Sequence, residues 1–327
     1  MNRMKHLIEK EKIKAELTPE RFIRETNNAG NQIYEITCQN APHVMREIGR
    51  IRELSFREAG GGTGKEIDLD EYDLDHENPY RQLLVWDPET EEIVGGYRYH
   101  ICNEEFAVNH HYKKWLATSE LFNFSEIFIR DYLPRMIELG RSFVQPQYQS
   151  TKRSSKSIFA LDNLWDGLGH LVTRFPDHKY FFGKVTMYPV YPPECRDKIL
   201  YFMDRHFGDR EGLVQPIIPL QTDFNLPEME ALFSGATYQE NYKILSQHIR
   251  SAGQNIPPLI NSYMNLSPTM KSFGTAINPD FGHVEETGIM ITIPDLYEEK
   301  VSRHIKTYSE EKAQKRSETD ANGYEPS

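Results

Sequence analysis

The sequence predicts an α/β or α+β domain in which helices flank a sheet, and three observations support that fold class. Segments with strand character alternate with amphipathic segments along residues 31–214. Two of the strands are joined by Asp87-Pro88-Glu89-Thr90, a favourable turn sequence that indicates a hairpin. Hydrophobic residues make up 38% of the 327 residues, so the chain can bury a substantial core.

The individual elements are delimited by periodicity and by turn residues. A charged, partly helical segment is predicted for residues 1–30. The glycine-rich residues 60–64 end the first long helix as a flexible loop. The predicted strands are residues 33–38, 83–86, 93–101, 135–144, 180–188 and 287–293. The predicted helices are residues 41–58, 155–174, 194–207 and 237–250.

The same patterns divide the chain into four parts. Residues 1–30 form an N-terminal helical segment, and residues 31–214 form the main domain. After residue 215, prolines mark an extended connection, and residues 215–302 are predicted to be a helical extension packed on the domain. Residues 303–327 are almost wholly polar and are predicted to be a disordered tail.

Composition excludes several classes of protein. The formal net charge of −11 argues against a nucleic-acid-binding protein. The three cysteines, Cys38, Cys102 and Cys195, have neither metal-ligand nor disulfide spacing, which favours a reducing cytoplasm. The N-terminus lacks a signal-peptide core, and no apolar run approaches the roughly 18 residues of a membrane span. We expect a cytoplasmic protein, with peripheral contact at the inner membrane left open.

Residues 138–144, Glu-Leu-Gly-Arg-Ser-Phe-Val, place two charged side chains inside an apolar strand. In a regular strand Glu138 and Arg141 would point to opposite faces of the sheet. A bulge at Gly140 would bring both to one face, and we predict that bulge. A carboxylate and an arginine placed together in this way can supply acid–base chemistry.

A basic, hydroxyl-rich run, residues 149–157, follows this strand and precedes a predicted helix. Anions bind at helix N-termini, where backbone N–H groups are unpaired. This order of elements favours an enzyme that acts on a phosphate-bearing carrier, and a solvated loop is the simpler alternative. The candidate binding residues are Lys152, Arg153, Ser154, Ser155 and Lys156.

Arg52 is out of place in the helix predicted for residues 41–58. It lies between Ile48 and Phe56, within the apolar arc of that helix. A guanidinium group there must be paired or face a cavity, and the pattern leaves both open. Its candidate partners are the acidic residues of the following loop: Asp68, Asp70, Asp73 and Asp75. That loop lacks the glycine and the closing glutamate of a calcium site, so no metal is predicted.

Arg98 is a further charged residue in a predicted strand. It follows Gly95 and Gly96, and two glycines in a strand indicate a bulge or a close approach of the backbone.

The charged positions together resemble a known signature. Arg52-x-x-x-Phe56, Asp70-x-x-Asp73, Arg98 and Glu138-x-x-Arg141 occur in the order seen in the acyl-homoserine-lactone autoinducer synthases. Those enzymes belong to a GNAT-like group with the ornithine lipid N-acyltransferases and the proteins labelled hemolysins. Within this group the chain most resembles the glycine N-acyltransferases of Bacteroidetes. The segments that resemble this subgroup are residues 160–169, 179–183, 265–270 and 273–276.

The resemblance implies a GNAT-like fold with a mixed, mostly antiparallel central sheet. It implies transfer of a fatty acyl group, such as a 3-hydroxyacyl group, from a thioester to the amine of glycine, giving an N-acyl glycine lipid. The usual coenzyme A loop, Gln/Arg-x-x-Gly-x-Gly/Ala, is absent, and residues 149–157 stand in its place. The implied donor is therefore the phosphopantetheine thioester of acyl carrier protein, with acyl-coenzyme A as the alternative, and no cofactor is bound. Acyl carrier proteins are acidic, so the basic run is their expected docking point.

The resemblance also implies roles for the signature residues. Glu138 is the expected base for the acceptor ammonium, and Arg141 is expected to keep it ionised. Arg52 and Arg98 are expected to bind the glycine carboxylate, with Asp70 and Asp73 holding these arginines or attracting the ammonium. Backbone N–H groups near the end of the strand are expected to stabilise the oxyanion. The implied substrate-binding set also includes Phe56, Ser142, Phe143 and Val144.

Three alternatives remain. The acceptor could be ornithine or another amine. The protein could be a non-catalytic module that binds an acyl carrier or a lipid. The label hemolysin suggests a lytic toxin, and the absence of a cationic amphipathic helix speaks against it. The acyl chain needs an apolar groove, for which Phe122, Phe124, Phe128, Phe181 and Phe182 are candidate walls or plain core residues.

Overall fold

A computed structural model describes residues 10–149 and 159–308. The strands are β1 (Phe22–Glu25), β2 (Gln32–Ile36), β3 (Arg81–Asp87), β4 (Glu92–Ile101), β5 (Phe122–Phe124), β6 (Met136–Val144), β7 (Tyr180–Met187), β8 (Val214–Pro216), β9 (Lys271–Asn278) and β10 (Val284–Thr292). The helices are α1 (Lys10–Glu16), α2 (Pro42–Ala59), α3 (Glu71–Leu74), α4 (Glu104–Ala107), α5 (Tyr112–Trp115), α6 (Ala160–Arg174), α7 (Pro193–Phe207), α8 (Leu226–Leu232), α9 (Tyr238–Ser251), α10 (Pro258–Met264) and α11 (Glu298–Lys300), which continues as a π-helical segment over Val301–Lys306.

A mixed sheet organises the fold. Within the described ranges it has eight strands in the order β1-β2-β3-β4-β6-β7-β10-β9, and β5 pairs separately with β8. In this sheet the described strands pair antiparallel except for β6 and β7, which are parallel. The predicted fold class, a mostly antiparallel sheet flanked by helices, is confirmed.

Different elements cover the two faces of the sheet. On one face Leu83, Ile137 and Val185 pack in a core with side chains of α6, α7, α9 and α10. On the other face α2 packs against Leu84 and its neighbours, and the irregular segment between β4 and β6 packs against Phe182. The side chains alternate between these faces along each strand, as the period of two requires.

The parallel pair β6 and β7 separates partway along its length. Pairing runs from Met136 and Tyr180 to Leu139 and Gly183, although the strands continue to Val144 and Met187. At the last pair the backbones are close, because a Cβ atom on Gly183 would lie 2.5 Å from the carbonyl oxygen of Leu139. Beyond that pair the facing edges of the two strands lose their ladder, and a gap opens in the middle of the sheet.

The predicted bulge in β6 is present, one residue later than predicted. Arg98 pairs with Gly140, and Gly96 pairs with Phe143, so β6 contains one more residue than β4 between these pairs. Arg141 occupies the bulge with φ of +50°, a left-handed conformation that few residues other than glycine adopt. Gly140 itself is regularly paired.

The bulge moves Arg141 to the face that carries Glu138. Glu138 pairs with His100, and Arg98 lies two residues before His100, so these three side chains share one face. Arg98 and Arg141 both contact Asp70, which places Arg141 on that face as well. The prediction that a bulge brings Glu138 and Arg141 to one face of the sheet is therefore confirmed. The close backbone approach predicted at Gly95 and its neighbour is also confirmed, since a Cβ atom on Gly95 would lie 2.5 Å from the carbonyl oxygen of Phe143.

The N-terminal segment is not helical throughout. After α1 and a short 3₁₀ turn, β1 (Phe22–Glu25) pairs with β2 at the edge of the sheet. The predicted helical segment, residues 1–30, is therefore wrong from residue 22 onward. Tertiary pairing with β2 decides the conformation of these four residues, whose own sequence, Phe-Ile-Arg-Glu, is weakly patterned.

Residues 215–302 are not a purely helical extension. β10 pairs with β7 from Glu285 to Thr292, and β9 pairs with β10. These two strands complete the central sheet, while α9 and α10 cover one of its faces. The predicted boundary at residue 215 therefore cuts through a single sheet.

The predicted tail begins too early. Residues 303–306 belong to a helical segment that packs on α6, and His304 and Tyr308 are buried. The Nδ1 atom of His304 lies 2.7 Å from a carboxylate oxygen of Asp166. Residues 309–327 lie outside the described residues.

No helix in the described ranges is both long and apolar enough to span a membrane.

Candidate active site

A cavity of about 420 Å³ occupies the gap between β6 and β7. Its lining includes residues from both faces of the sheet, so the cavity extends through the sheet where the two strands separate. The lining on the α2 face includes the charged and polar side chains of Arg141, Lys184, Thr186 and Glu286. The lining on the other face is mostly apolar and comprises Leu139, Ala160, Leu161, Leu164, Val185, Pro257, Pro258, Leu259 and Tyr263.

The signature residues form an ion-pair network beside this cavity. It consists of three arginines and three aspartates, Arg52, Arg98, Arg141, Asp68, Asp70 and Asp73. Arg52 lies 2.9 Å from Asp73, and Arg98 lies 2.6 Å from Asp70. Arg141 reaches Asp68 at 3.0 Å. The network is neutral overall and joins α2, β4 and the β6 bulge to α3 and the residues just before it.

Burial and mutual attraction set the charges in this network. The side chains of Arg52 and Asp73 are completely buried. Burial tends to raise the pKa of Asp70, but the adjacent Arg98 outweighs it and holds that pKa well below its usual range. For Asp68 burial dominates and raises the pKa, although Arg141 opposes the change. Arg52 is thus a paired side chain, and Asp73 is the partner among the predicted candidates.

Glu138 occupies an enclosed site next to the network. Its residue is 1% exposed, and one carboxylate oxygen accepts hydrogen bonds from the backbone N–H and the hydroxyl group of Thr118. The other oxygen is hydrogen-bonded to the hydroxyl group of Tyr80, whose ring stacks on His100. Burial raises the pKa of Glu138 to about 8, while the donors of Thr118 and the charge of Lys184 act against that rise.

Glu138 and Arg141 share a face without pairing. Arg141 binds Asp68 and Asp70, and Glu138 binds Thr118 and Tyr80. Arg141 is thus held by the aspartates rather than by Glu138, which was the contact expected from the sequence. Among the described residues that line the cavity, Arg141 is present and Glu138 is not.

The remaining predicted substrate residues divide into two groups. Phe56, Ser142, Phe143 and Val144 line the cavity together with Arg141. The second group, Arg52, Asp70, Asp73 and Arg98, belongs to the network and is absent from the cavity lining formed by the described residues. Contact of this second group with a substrate stays a prediction.

Two charged residues that line the cavity were not singled out as site residues from the sequence. Lys184 of β7 and Glu286 of β10 form an ion pair at 2.5 Å, and their side chains are 12% and 3% exposed. A lone lysine in the apolar strand Tyr180–Met187 is the same kind of signal that identified Glu138, and it could have identified Lys184.

The predicted aromatic walls are core residues. Phe122, Phe124, Phe128 and Phe182 are buried in one cluster, where the rings of Phe128 and Phe182 are 5.4 Å apart. Phe181 packs in the core on the other face of the sheet. The predicted carrier-binding residues Lys152, Arg153, Ser154, Ser155 and Lys156 lie outside the described residues.

The mixed sheet and the cavity between its separating parallel strands define a GNAT-type acyltransferase. In agreement, the model of the family described as "Acetyltransferase (GNAT) domain" matches residues 51–157. No solved structure has significant similarity to the chain.

Two curated proteins identify the family within this class. A glycine N(alpha)-acyltransferase of Bacteroides thetaiotaomicron is 57% identical over 303 residues, which cover 93% of this chain and 89% of that protein. A glycine N(alpha)-acyltransferase of Phocaeicola vulgatus is 55% identical over 301 residues, which cover 92% of both chains. The chain belongs to the GNAT acyltransferases, in the family of these two proteins.

Proposed function

We propose that this acyltransferase transfers a fatty acyl group, including a 3-hydroxyacyl group, from the thioester of acyl carrier protein to the amine of glycine. The product would be an N-acyl glycine lipid. The main support is the cavity between β6 and β7, which offers charged side chains on one face of the sheet and apolar side chains on the other. The two relatives, both named for acylation of glycine, support the acceptor.

The apolar side of the cavity suits the acyl chain. Its walls come from the first turns of α6, from α10 and the residues just before it, and from β6 and β7. Burial of each methylene group there would contribute about 0.8 kcal/mol to binding of the donor. The polar side is then left for the acceptor, and the thioester carbonyl lies between the two at the separation of the strands.

The chemistry begins with the loss of a proton from the acceptor ammonium. The free amine attacks the thioester carbonyl carbon, a C–N bond forms, and the C–S bond breaks. The nitrogen, which carries a positive charge after the attack, loses a second proton, and the thiolate that leaves on phosphopantetheine takes up this proton to give the thiol. Backbone N–H groups on the unpaired edge at residues 140–144 can stabilise the oxyanion, because this edge has lost its ladder with β7.

Glu138 is the proposed final acceptor of the ammonium proton. A carboxyl group whose pKa burial raises to about 8 is matched to a proton acceptor near neutral pH. Glu138, Tyr80 and Thr118 do not belong to the described cavity lining, so the proton would reach Glu138 through at least one water molecule.

The basic run fits the donor proposed for this site. Tyr148 and Gln149 precede its lysines, Ala160 follows them, and all three line the cavity. The described residues on both sides of this run therefore adjoin the cavity that would receive the prosthetic group. Acyl carrier proteins are acidic, and a local basic patch on a chain with net charge −11 would attract them.

Lipid mass spectrometry of a bacterial host tests this function. The host expresses either the wild type or Glu138→Gln, and total lipids are compared. We expect new N-acyl glycines with the wild type alone. A different N-acylated head group would show that the acceptor is another amine. If a folded and abundant protein produced no new amide lipid, the result would favour the binding-module alternative.

A further inference from the structure

A buried ion pair on the polar wall of the cavity lies outside the signature network. Lys184 Nζ is 2.5 Å from Oε2 of Glu286, and both side chains line the cavity. Two neighbours fix the carboxylate of Glu286. The hydroxyl group of Thr186 lies 3.4 Å from Oε1, and the amide group of Asn278 lies 3.4 Å from Oε2.

The sheet presents this pair to the gap between β6 and β7. Glu286 pairs with Thr186 across β10 and β7, and Lys184 lies two residues before Thr186. The three side chains therefore share one face of the sheet. Glu138 points to the same face, because it pairs with Phe182, which lies two residues before Lys184. Lys184 is close enough to Glu138 that its charge lowers the pKa of that carboxyl group.

A buried ion pair at a cavity has a specific binding chemistry. Removing one partner from such a pair leaves an uncompensated charge, so a ligand that carries a single charge is poorly matched to it. A zwitterion carries both charges and no net charge. When it inserts, one ion pair becomes two, and neither Lys184 nor Glu286 is left without a partner.

Two arginines of the network, Arg52 and Arg98, are poorly placed for the same task. Arg52 is completely buried and holds Asp73, and Arg98 is almost completely buried and holds Asp70. Binding a substrate carboxylate through either would break an ion pair of the network, with Asp73 or with Asp70, and neither arginine belongs to the described cavity lining. Lys184 already lines the cavity and needs only to exchange its contact with Glu286.

We infer that Lys184 and Glu286, the acceptor pair, bind the amino acid acceptor as a zwitterion. Lys184 binds the α-carboxylate, and Glu286 binds the α-ammonium. This inference rests on the proposed function and adds the basis of its specificity. The enzyme selects α-amino acids over simple amines because an amine without a carboxylate leaves Lys184 unpaired.

Steady-state kinetics with glycine and with glycinamide, which lacks the carboxylate, test the acceptor pair. For the wild type we expect glycine to be preferred over glycinamide at least about tenfold, the ratio that one lost charge-assisted hydrogen bond supplies. In Lys184→Met the KM for glycine rises by a similar factor and the preference disappears. In Glu286→Gln the KM for both acceptors rises. The KM for the acyl donor stays unchanged, which a merely structural role would not predict.

Three further variants serve as controls for misfolding and for specificity. The double variant Lys184→Met with Glu286→Gln removes both charges, so it should fold even where a single variant does not. Lys184→Arg keeps the cation and should retain the preference for glycine. Glu285→Gln is the matched control, because Glu285 forms a 2.6 Å ion pair with Arg196 and points to the opposite face of β10. We expect its glycine KM to be that of the wild type.

The outcomes separate the two proposals. If the wild type acylates glycine and the variants keep its glycine KM and its preference for glycine, the inference about the acceptor pair is wrong and the proposed function stands. A wild type that makes no N-acyl amino acid from any donor overturns the proposed function, and the acceptor pair with it.

Discussion

Glu138 accepts two hydrogen bonds from Thr118, one from the backbone N–H at 2.8 Å and one from the hydroxyl group at 2.5 Å. This contact fixes the carboxylate of a central strand to the irregular segment between β4 and β6. It also stabilises the ionised form of a group that burial would otherwise keep neutral, because donors to a carboxylate favour its charge. The balance between burial and these donors leaves the pKa of Glu138 at about 8.

Replacing Glu138 by glutamine should remove the proton acceptor and preserve the fold. Glutamine keeps the shape and an oxygen that can accept from Thr118, so we expect a folded protein. A lost general base costs about 10²- to 10⁴-fold in rate, so kcat should fall by that amount with little change in the glycine KM. Initial rates measured over a range of glycine concentrations check this. A kcat within a factor of three of the wild type would contradict the assignment of Glu138 as the base.

The stability of the protein should depend on pH through the same residue. The pKa of Glu138 is about 8 in the folded protein, above the ordinary value of 4.5, so between these values the folded state holds a proton that the unfolded state releases. Its contribution to stability is fully present below pH 4.5 and is lost as pH rises to 8. From pH 6 to pH 8 the wild type should lose on the order of 2 kcal/mol relative to Glu138→Gln. Urea unfolding of both proteins at the two pH values measures this, and parallel changes would contradict it.

The catalytic rate should show the opposite trend with pH. A base acts only when ionised, so kcat of the wild type should rise with pH up to about 8 and then level off. The pH–rate profile at saturating glycine checks this. A flat profile between pH 6 and pH 9 would indicate that Glu138 is not titrating in the rate-limiting step.

The network should matter more to stability than an ion pair on the same helix whose arginine is exposed. Arg52→Leu removes the closer of the two arginines that pair with the completely buried Asp73 and leaves only Arg98, at 3.1 Å. Breaking a buried ion pair by removing one partner typically costs about 3–5 kcal/mol, and the remaining arginine should place the loss at the lower end of that range. Arg57→Gln is the control, since the side chain of Arg57 is 53% exposed and its buried partner Glu53 keeps hydrogen bonds from Thr63 and Gly64. We expect that substitution to cost about 1 kcal/mol. Chemical denaturation gives both values. Equal losses would contradict a structural role for the network.

The sequence predicted the charged residues of the site better than their partners. Arg52 was correctly placed as a charge inside an apolar arc, and its partner, Asp73, was among the candidates. The contact between Glu138 and Thr118 was not predicted, because Thr118 lies in an irregular segment with no period to read. The pairing of Lys184 with Glu286 was not predicted either, because it depends on the register between β7 and β10.

The predicted elements of the central sheet were mostly correct, and the missed strands have physical reasons. β9 contains Gly274 in a left-handed conformation, with φ of +82°, and this residue interrupts the strand pattern. β1 is four residues long and carries Arg24 and Glu25. Both strands lie at the edges of the sheet, where pairing with β10 and β2 outweighs their weak local preference.

The apolar side of the cavity should set the preference for acyl chain length. Leu161 of α6 lines this side, and tryptophan at that position would fill part of the space proposed for the chain. We expect Leu161→Trp to lower kcat/KM for a 16-carbon donor at least about tenfold more than for an 8-carbon donor. Leu200→Trp on α7 is a control, because Leu200 is absent from the cavity lining formed by the described residues. Equal effects on both chain lengths would place the acyl chain elsewhere.

The basic run should distinguish the two possible donors. Lys152→Glu with Arg153→Glu reverses two charges that would face the acidic surface of an acyl carrier protein, whereas coenzyme A presents only its phosphate groups to this run. Long-range attraction between such surfaces is screened by salt. We therefore expect the double variant to lower kcat/KM for acyl carrier protein donors by an order of magnitude or more at low salt, with a smaller loss at 0.5 M salt. The kcat/KM for acyl-coenzyme A should change less.

The matched control reverses the charges of Lys113 and Lys114, two neighbouring lysines on α5 that the described cavity lining does not include. If acyl-coenzyme A is the better donor for the wild type and both variants behave alike, the basic run does not bind a carrier protein.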